Sequence, residues 1–124
     1  MIKRVDIAGC RNYYNYEEAK TFMDYCISDI RKNNTIIIVS GGARGADALG
    51  ERYAKDNGFE IERYVAQWNK YGKYAGPKRN NKIAEVSDLV ICFWDKKSKG
   101  TRSMIEYARK NFKPIRIKII KTTN

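Results

Sequence analysis

Residues Ser40 to Asp47 read Ser-Gly-Gly-Ala-Arg-Gly-Ala-Asp and join an apolar β-branched run, Ile36 to Val39, to a helical pattern, Ala46 to Asn57. A buried strand that passes through glycines straight into a helix is one unit of an alternating strand–helix fold. Three glycines within five positions let the backbone approach a ligand closely. The helix start then offers free N–H groups at the positive end of its dipole, which suits a phosphate or another anion. The same glycines also suit a tight turn with close packing, so this stretch alone leaves both readings open.

The alternation continues along the chain. Ile2 to Ala8 reads as a buried strand and Gly9 to Asn15 as a turn region. Asn15 caps a helix, with Glu18 three residues on as its capping-box partner. Ala19, Phe22, Met23, Cys26, Ile27 and Ile30 recur at helical spacing, and Asn33-Asn34 ends that helix. Thr35 to Val39 is uninterrupted enough to be buried on both faces. The second helix turns Ala46, Leu49, Tyr53 and Ala54 inward and stops at Asn57-Gly58. Phe59 to Val65 reads as a third strand and Ala66 to Pro77 as irregular. Pro77 suits the first turn of a short helix running to about Val86. Asp88 to Trp94 is a fourth strand and Lys96 to Lys99 a polar loop. Gly100-Thr101 opens a fourth helix with Met104, Ile105 and Ala108 inward. Ile115 to Ile120 alternates like an edge strand.

Five strands and four helices in this order predict an α/β fold. We expect a Rossmann-like three-layer sandwich with a mostly parallel five-stranded sheet, residues 1–124 forming a single domain. Ligands of such sheets bind outside the carboxyl ends of the strands. There the loops at Gly9 to Tyr14, Ser40 to Asp47, Ala66 to Arg79 and Phe93 to Lys99 gather, with Gly100-Thr101 beside them.

Composition narrows the chemistry. The chain has no histidine, which excludes Ser-His-Asp and Cys-His mechanisms and makes a zinc site unexpected. Catalysis, if present, falls to Asp, Glu, Tyr, Lys or charge stabilisation by Arg. Cys10, Cys26 and Cys92 are an odd number without paired spacing and read as free thiols in a reducing cytosol. No apolar run is long enough for a bilayer, and Lys3, Arg4 and Asp6 interrupt the first strand as no signal peptide allows. No metal, cofactor or membrane partner is expected.

The net charge of +11, from 25 basic and 14 acidic residues, favours anionic partners, either nucleic acid or a phosphorylated small molecule. Arg63, Lys70, Lys73, Lys78, Arg79 and Lys82 carry no acid among them and are interleaved with Tyr64, Trp68, Tyr71 and Tyr74. Such a segment can stack bases and hold phosphates, or pack its rings on the core. The basic run after Glu106 reads as a solvated helix end and edge strand.

Several motifs at the sheet's carboxyl edge resemble a known family. Ala8-Gly9-Cys10-Arg11-Asn12-Tyr13 is similar to its Gly-Ser-Arg-x-Tyr. Gly41-Gly42-Ala43-Arg44-Gly45-Ala46-Asp47, Ala66-x-Trp68, Lys70-Tyr71-Gly72-Lys73-x-Ala75-Gly76-Pro77-x-Arg79-Asn80 and Ser98-Lys99-Gly100-Thr101 follow in order. The chain resembles the YspA/cpYpsA-related branch of the SLOG superfamily, which includes LOG-type phosphoribohydrolases and the DNA-processing protein DprA. Cys10 stands where serine is frequent.

The resemblance implies a nucleotide or nucleotide-derived signalling ligand. It also implies a possible homo-oligomer, and a sensor or sequestering protein of phage or mobile-element origin with an anti-defence role. Its implied ligand residues are Gly9, Arg11, Tyr13, Gly41, Gly42, Arg44, Gly45, Asp47, Trp68, Arg79, Asn80, Gly100 and Thr101. From the residues themselves, Tyr13 is equally a packed ring, Arg44 a surface charge, and Asp47 either a helix-dipole partner or an acceptor for ribose hydroxyls. In LOG-type enzymes an arginine placed like Arg79 is catalytic, with a glutamate in Gly-Thr-x-x-Glu acting at the glycosidic bond. Here that position is Met104, and Glu106 points elsewhere on the helix. Asp47 and Asp95 are the available substitutes. Binding is therefore the leading expectation. Nucleoside 5'-phosphate hydrolysis and DprA-like single-stranded nucleic-acid binding are the alternatives.

Overall fold

The computed structural model describes residues 1–122; residues 123–124 of the expected domain lie outside the described residues. The elements are β1 (Ile2–Gly9), α1 (Tyr16–Ile27), β2 (Thr35–Ser40), α2 (Ala46–Asn57), β3 (Glu60–Arg63), α3 (Trp68–Tyr71), α4 (Ala75–Val86), β4 (Leu89–Trp94), α5 (Lys99–Lys110) and β5 (Ile115–Ile119). The strand order is β3-β2-β1-β4-β5. All four neighbour pairs are parallel, so the sheet is wholly parallel rather than mostly so. β1 is central, and the chain crosses it once, running outward to β3 and then back to β4. That reversal leaves a crevice at the carboxyl ends of β1 and β4.

The pleat sorts side chains onto the two faces. Val5, Ile7, Ile36, Ile38, Ile91 and Phe93 pack with α1 and α2, which contribute Ala19, Met23, Ile27, Leu49, Tyr53 and Ala54. Val39, Val90 and Cys92 pack on the opposite face with Ile83 and Ala84 of α4 and Met104, Ile105 and Ala108 of α5. A three-layer sandwich results, and every inward helical residue anticipated for α2 and α5 is buried.

Four local details differ from the sequence reading, the first being that α1 stops at Ile27 and a separate 3-10 turn at Ile30–Lys32 leads to Asn33. Asn15 does cap α1, accepting from the Glu18 N–H at 3.1 Å. The Glu18 carboxylate, however, accepts from the Tyr13 hydroxyl at 2.7 Å instead of completing a capping box. β3 is only Glu60–Arg63. The segment read as irregular contains α3 and a 3-10 turn at Gly72–Tyr74, and α4 begins at Ala75. Pro77 is tolerated there because the first turn of a helix has no intrahelical acceptor for its N–H groups.

Candidate functional site

At the β1–β4 crevice a cavity of about 120 Å³ opens among β1, the loop after β2, α4 and the start of α5. Of the residues singled out from sequence, Gly9, Arg11, Gly41, Asp47, Arg79, Asn80, Gly100 and Thr101 line it. Asp6, Ala8, Ala43, Ile83, Ser98 and Met104 line it as well.

The glycine loop does not present an empty row of amides. The Gly42 N–H donates to Ser40 Oγ at 3.0 Å, and the Ala43 N–H to Asp47 Oδ2 at 3.1 Å. The Ala46 N–H donates to the Cys10 carbonyl at 3.1 Å. The Gly41 amide also acts on Asp47. The loop is thus wrapped around an anion of its own, the Asp47 side chain. Gly45 has φ +76°, and an added Cβ would press into the Cys10–Arg11 backbone. Its role is the close approach of two loops, and the buried Gly45 and exposed Gly42 stay outside the cavity lining.

Arg79 reaches from α4 to the same place. Its Nη1 donates to the Gly41 carbonyl at 2.8 Å and its Nε to Asn80 Oδ1 at 3.0 Å. A Cβ at Gly41 would lie 2.7 Å from that Nη1 and 2.9 Å from Asp47 Oδ2. Glycine at 41 is therefore what lets the guanidinium and the carboxyl converge. Burial pushes Asp47 up to about 6, against the opposing Ala43 amide and the Arg79 charge.

Beneath them lies Asp6, in the middle of β1 and opposite Val39 and Val90 of the flanking strands. It is fully buried, and neither carboxyl oxygen has a hydrogen-bond partner among the described residues. Burial, and secondarily the like charge of Asp47, hold its pKa well above the usual carboxylate range, while Arg79 opposes them. Sequence reasoning treated Asp6 only as a break in a signal peptide. The available signal was the strand's one acid, set between Val5 and Ile7 and two residues before Ala8-Gly9.

The start of α5 forms the opposite wall. Asp95 Oδ1 accepts from the N–H groups of Lys97 and Ser98 at 2.8 Å each, which shapes the turn before the helix. The Ser98 hydroxyl caps α5 through the Thr101 N–H at 3.3 Å. A Cβ on Gly100 would meet no heavy atom within 4 Å. Met104 is buried and faces the cavity where the resemblance implied a glutamate, whereas Glu106 is exposed. Asp95 lies in a neighbouring cleft with Arg44, so Asp47 is the only one of the two suggested substitutes that lines the cavity.

Two more residues fall elsewhere. Tyr13 is a core residue, 1% exposed and stacked on Phe93 at 5.2 Å. Trp68 is exposed and rests its ring edge near Gly76. Beside it, Tyr64, Tyr71, Lys78 and Lys82 line a second cleft that shares Arg79 with the first. Lys78 Nζ lies 4.7 Å from the Tyr71 ring centroid. Among the described residues no helix is long and apolar enough to cross a membrane, and no three His, Cys, Asp or Glu side chains group as a metal site.

The architecture and this cleft define a Rossmann-like protein with a carboxyl-edge pocket. Residues 4–71 match the model of the YspA, cpYpsA-related SLOG family. The chain is 31% identical over 121 residues to the gene 61 protein of Mycobacterium phage D29, spanning 92% of this chain and 94% of that protein. The chain belongs to the YspA, cpYpsA-related SLOG family. Its fold is also similar to DNA processing protein A from Streptococcus pneumoniae, with TM-score 0.72 and 20% identity over 94% of this chain and 50% of that one. The corresponding protein from Helicobacter pylori, solved to describe its single-stranded DNA binding mode, has TM-score 0.70 and 22% identity over 98% of this chain and 68% of that one. The chain thus spans half the length of the first of these structures, and at such identities the likeness is one of fold.

Proposed function

We propose that this protein binds a nucleotide or nucleotide-derived ligand in the β1–β4 crevice and acts as a sensor or sequestering protein. The observation that carries the reading is the convergence of Arg79 and Asp47 over Gly41, facing the open Gly100–Thr101 start of α5 across one cavity. An arginine with unused donors and an uncrowded helix start favour a phosphate ester, and the carboxyl groups favour its hydroxyls. Met104 in place of a glutamate supports binding over glycosidic cleavage, because α5 then brings no carboxylate to the cavity. A phage relative fits a protein carried by mobile elements.

The test is mass spectrometry of small molecules released from the denatured protein, alongside thermal shifts with mononucleotides, ADP-ribose derivatives and cyclic nucleotides. A co-purified nucleotide, or a large shift lost in Arg79→Ala, supports the reading. Free base and ribose phosphate formed from an added nucleotide would make the protein a hydrolase instead. Size-exclusion chromatography with light scattering reads the expected homo-oligomer.

A second reading has its own observation. Trp68 and Tyr74 are exposed, and Lys70, Lys73 and Lys78 lie among them on the segment that reaches Arg79. Rings and cations so interleaved suit a single strand, the ligand named for the H. pylori structure. Steeply salt-dependent binding of oligonucleotides, lost on Trp68→Ala and Tyr74→Ala together, would favour it.

A further inference from the structure

Asp6 is the group that the reading above leaves unused. A carboxyl on the central strand, between two valines and against an apolar layer, costs free energy that its surroundings do not offset. It lines the cavity, as does Asp47. The charged or titratable groups acting on this pair are Arg79 from α4, Glu51 from α2 and Cys92 from β4. Arg79 is the one cation among them, and it is already spent in part on Gly41 and Asn80.

Such a floor has a definite chemical preference. Two neighbouring carboxyl groups repel a phosphate. They satisfy, and are satisfied by, neutral groups that both donate and accept, and sugar hydroxyls are of that kind. Phosphate is better served at the rim, where Arg11 is exposed and Gly100 is uncrowded. We propose that Asp6 and Asp47 form a hydroxyl-recognising floor that seats the ribose of a ribonucleotide, so that the ligand enters sugar first with its phosphate at the α5 rim. Asp6 is the specificity-determining residue. It partners a ribose hydroxyl that a 2'-deoxy ligand lacks. This inference rests on the nucleotide-binding reading and names the class of nucleotide.

The experiment is isothermal titration calorimetry on the intact chain. The probes are the four ribonucleoside 5'-monophosphates, their 2'-deoxy counterparts, ribose 5-phosphate and inorganic phosphate. The proteins are the wild type, Asp6→Asn, Asp6→Leu and Arg79→Ala. The best ribonucleotide is expected to bind at least about tenfold more tightly than its 2'-deoxy form, because a site built around a hydroxyl rejects the analogue without it. Both Asp6 variants are expected to bring that ratio close to one while keeping or raising the Tm, since each removes a buried acid without a partner. Arg79→Ala is expected to weaken ribo and deoxy forms by the same factor and leave the ratio intact. An unchanged ratio in a folded Asp6→Asn overturns the floor assignment and leaves the nucleotide site standing. Absence of binding by every probe in the wild type overturns both. Inorganic phosphate competing with ribose 5-phosphate equally well in the wild type and Asp6→Asn would make the cavity a plain anion site. A magnesium-induced rise in Tm, present in the wild type and lost in Asp6→Asn, would make the floor a cation site. Either of these results also overturns the proposal.

Discussion

Two helices begin at the edge of the cleft, and they begin differently. α2 starts from the glycine-rich loop, yet the loop amides of Gly42 and Ala43 are already used by Ser40 and Asp47, and the helix's first amide, at Ala46, by the Cys10 carbonyl. α5 starts from a loop without glycine, organised by Asp95 and capped by Ser98, and space surrounds Gly100 in its first turn. The loop that looks more like a phosphate cradle is thus the closed one. Its glycines serve contacts between backbones and between Arg79 and Asp47. What offers room for an anion is the helix whose start the fold leaves uncrowded. A glycine count records where chains approach each other; it does not record what fills the gap.

The sharpest way to break this contrast is Gly45→Ala. The left-handed φ and the pressure of a new Cβ on the Cys10–Arg11 backbone should cost about 3 kcal/mol or more, read as a lower midpoint in urea unfolding. A loss below about 1 kcal/mol would mean that the two loops are not locked together. Next in size is the response of Asp47 to pH. Its folded pKa lies above that of an ordinary carboxyl, so the folded state holds the proton more tightly. Its contribution is therefore favourable at low pH and is lost as pH rises from about 4 to about 6. In Asp47→Asn that part of the decline should disappear, a difference on the order of 2 kcal/mol between the stability–pH curves. Asp6 should extend the wild-type decline to higher pH.

Arg79→Ala should remove one charge-assisted bond to Gly41 at a stability cost of about 1–2 kcal/mol, while nucleotide affinity falls by about tenfold or more. Paired melting and calorimetry separate the two effects. The smallest expected change is Gly100→Ala. With open space around the site it should alter stability by less than about 1 kcal/mol in either direction. Any loss of affinity in that variant then reports on the α5 rim itself, and an unchanged affinity would remove α5 from the site.

Much of this was legible from local pattern. The strand–helix alternation and the inward stripe of α5 follow from periods of two and 3.6 residues, which are properties of the chain's own backbone, while the replacement of a glutamate by Met104 was read from the family resemblance. So does the placing of Arg79 and Gly41 at the carboxyl edge, since every strand of a parallel sheet ends there. Tyr13 shows the limit. Its motif pointed to a ligand, but the Phe93 ring and the Glu18 carboxylate take it into the core. Asp6 shows the reverse, a residue with no motif that the crossover of the chain at β1 delivers to the cavity floor.

By itself, then, the amino-acid order determined the elements, their sequence and the edge at which a ligand would sit, because hydrophobic periodicity and glycine conformations act within a few residues. Only the tertiary structure decided which amides remain free, which rings are buried and which acids share the cavity. Those outcomes depend on who arrives as a partner from far along the chain, as Arg79 does at Gly41 and Phe93 at Tyr13, and a partner of that kind leaves no periodic trace in the sequence around it.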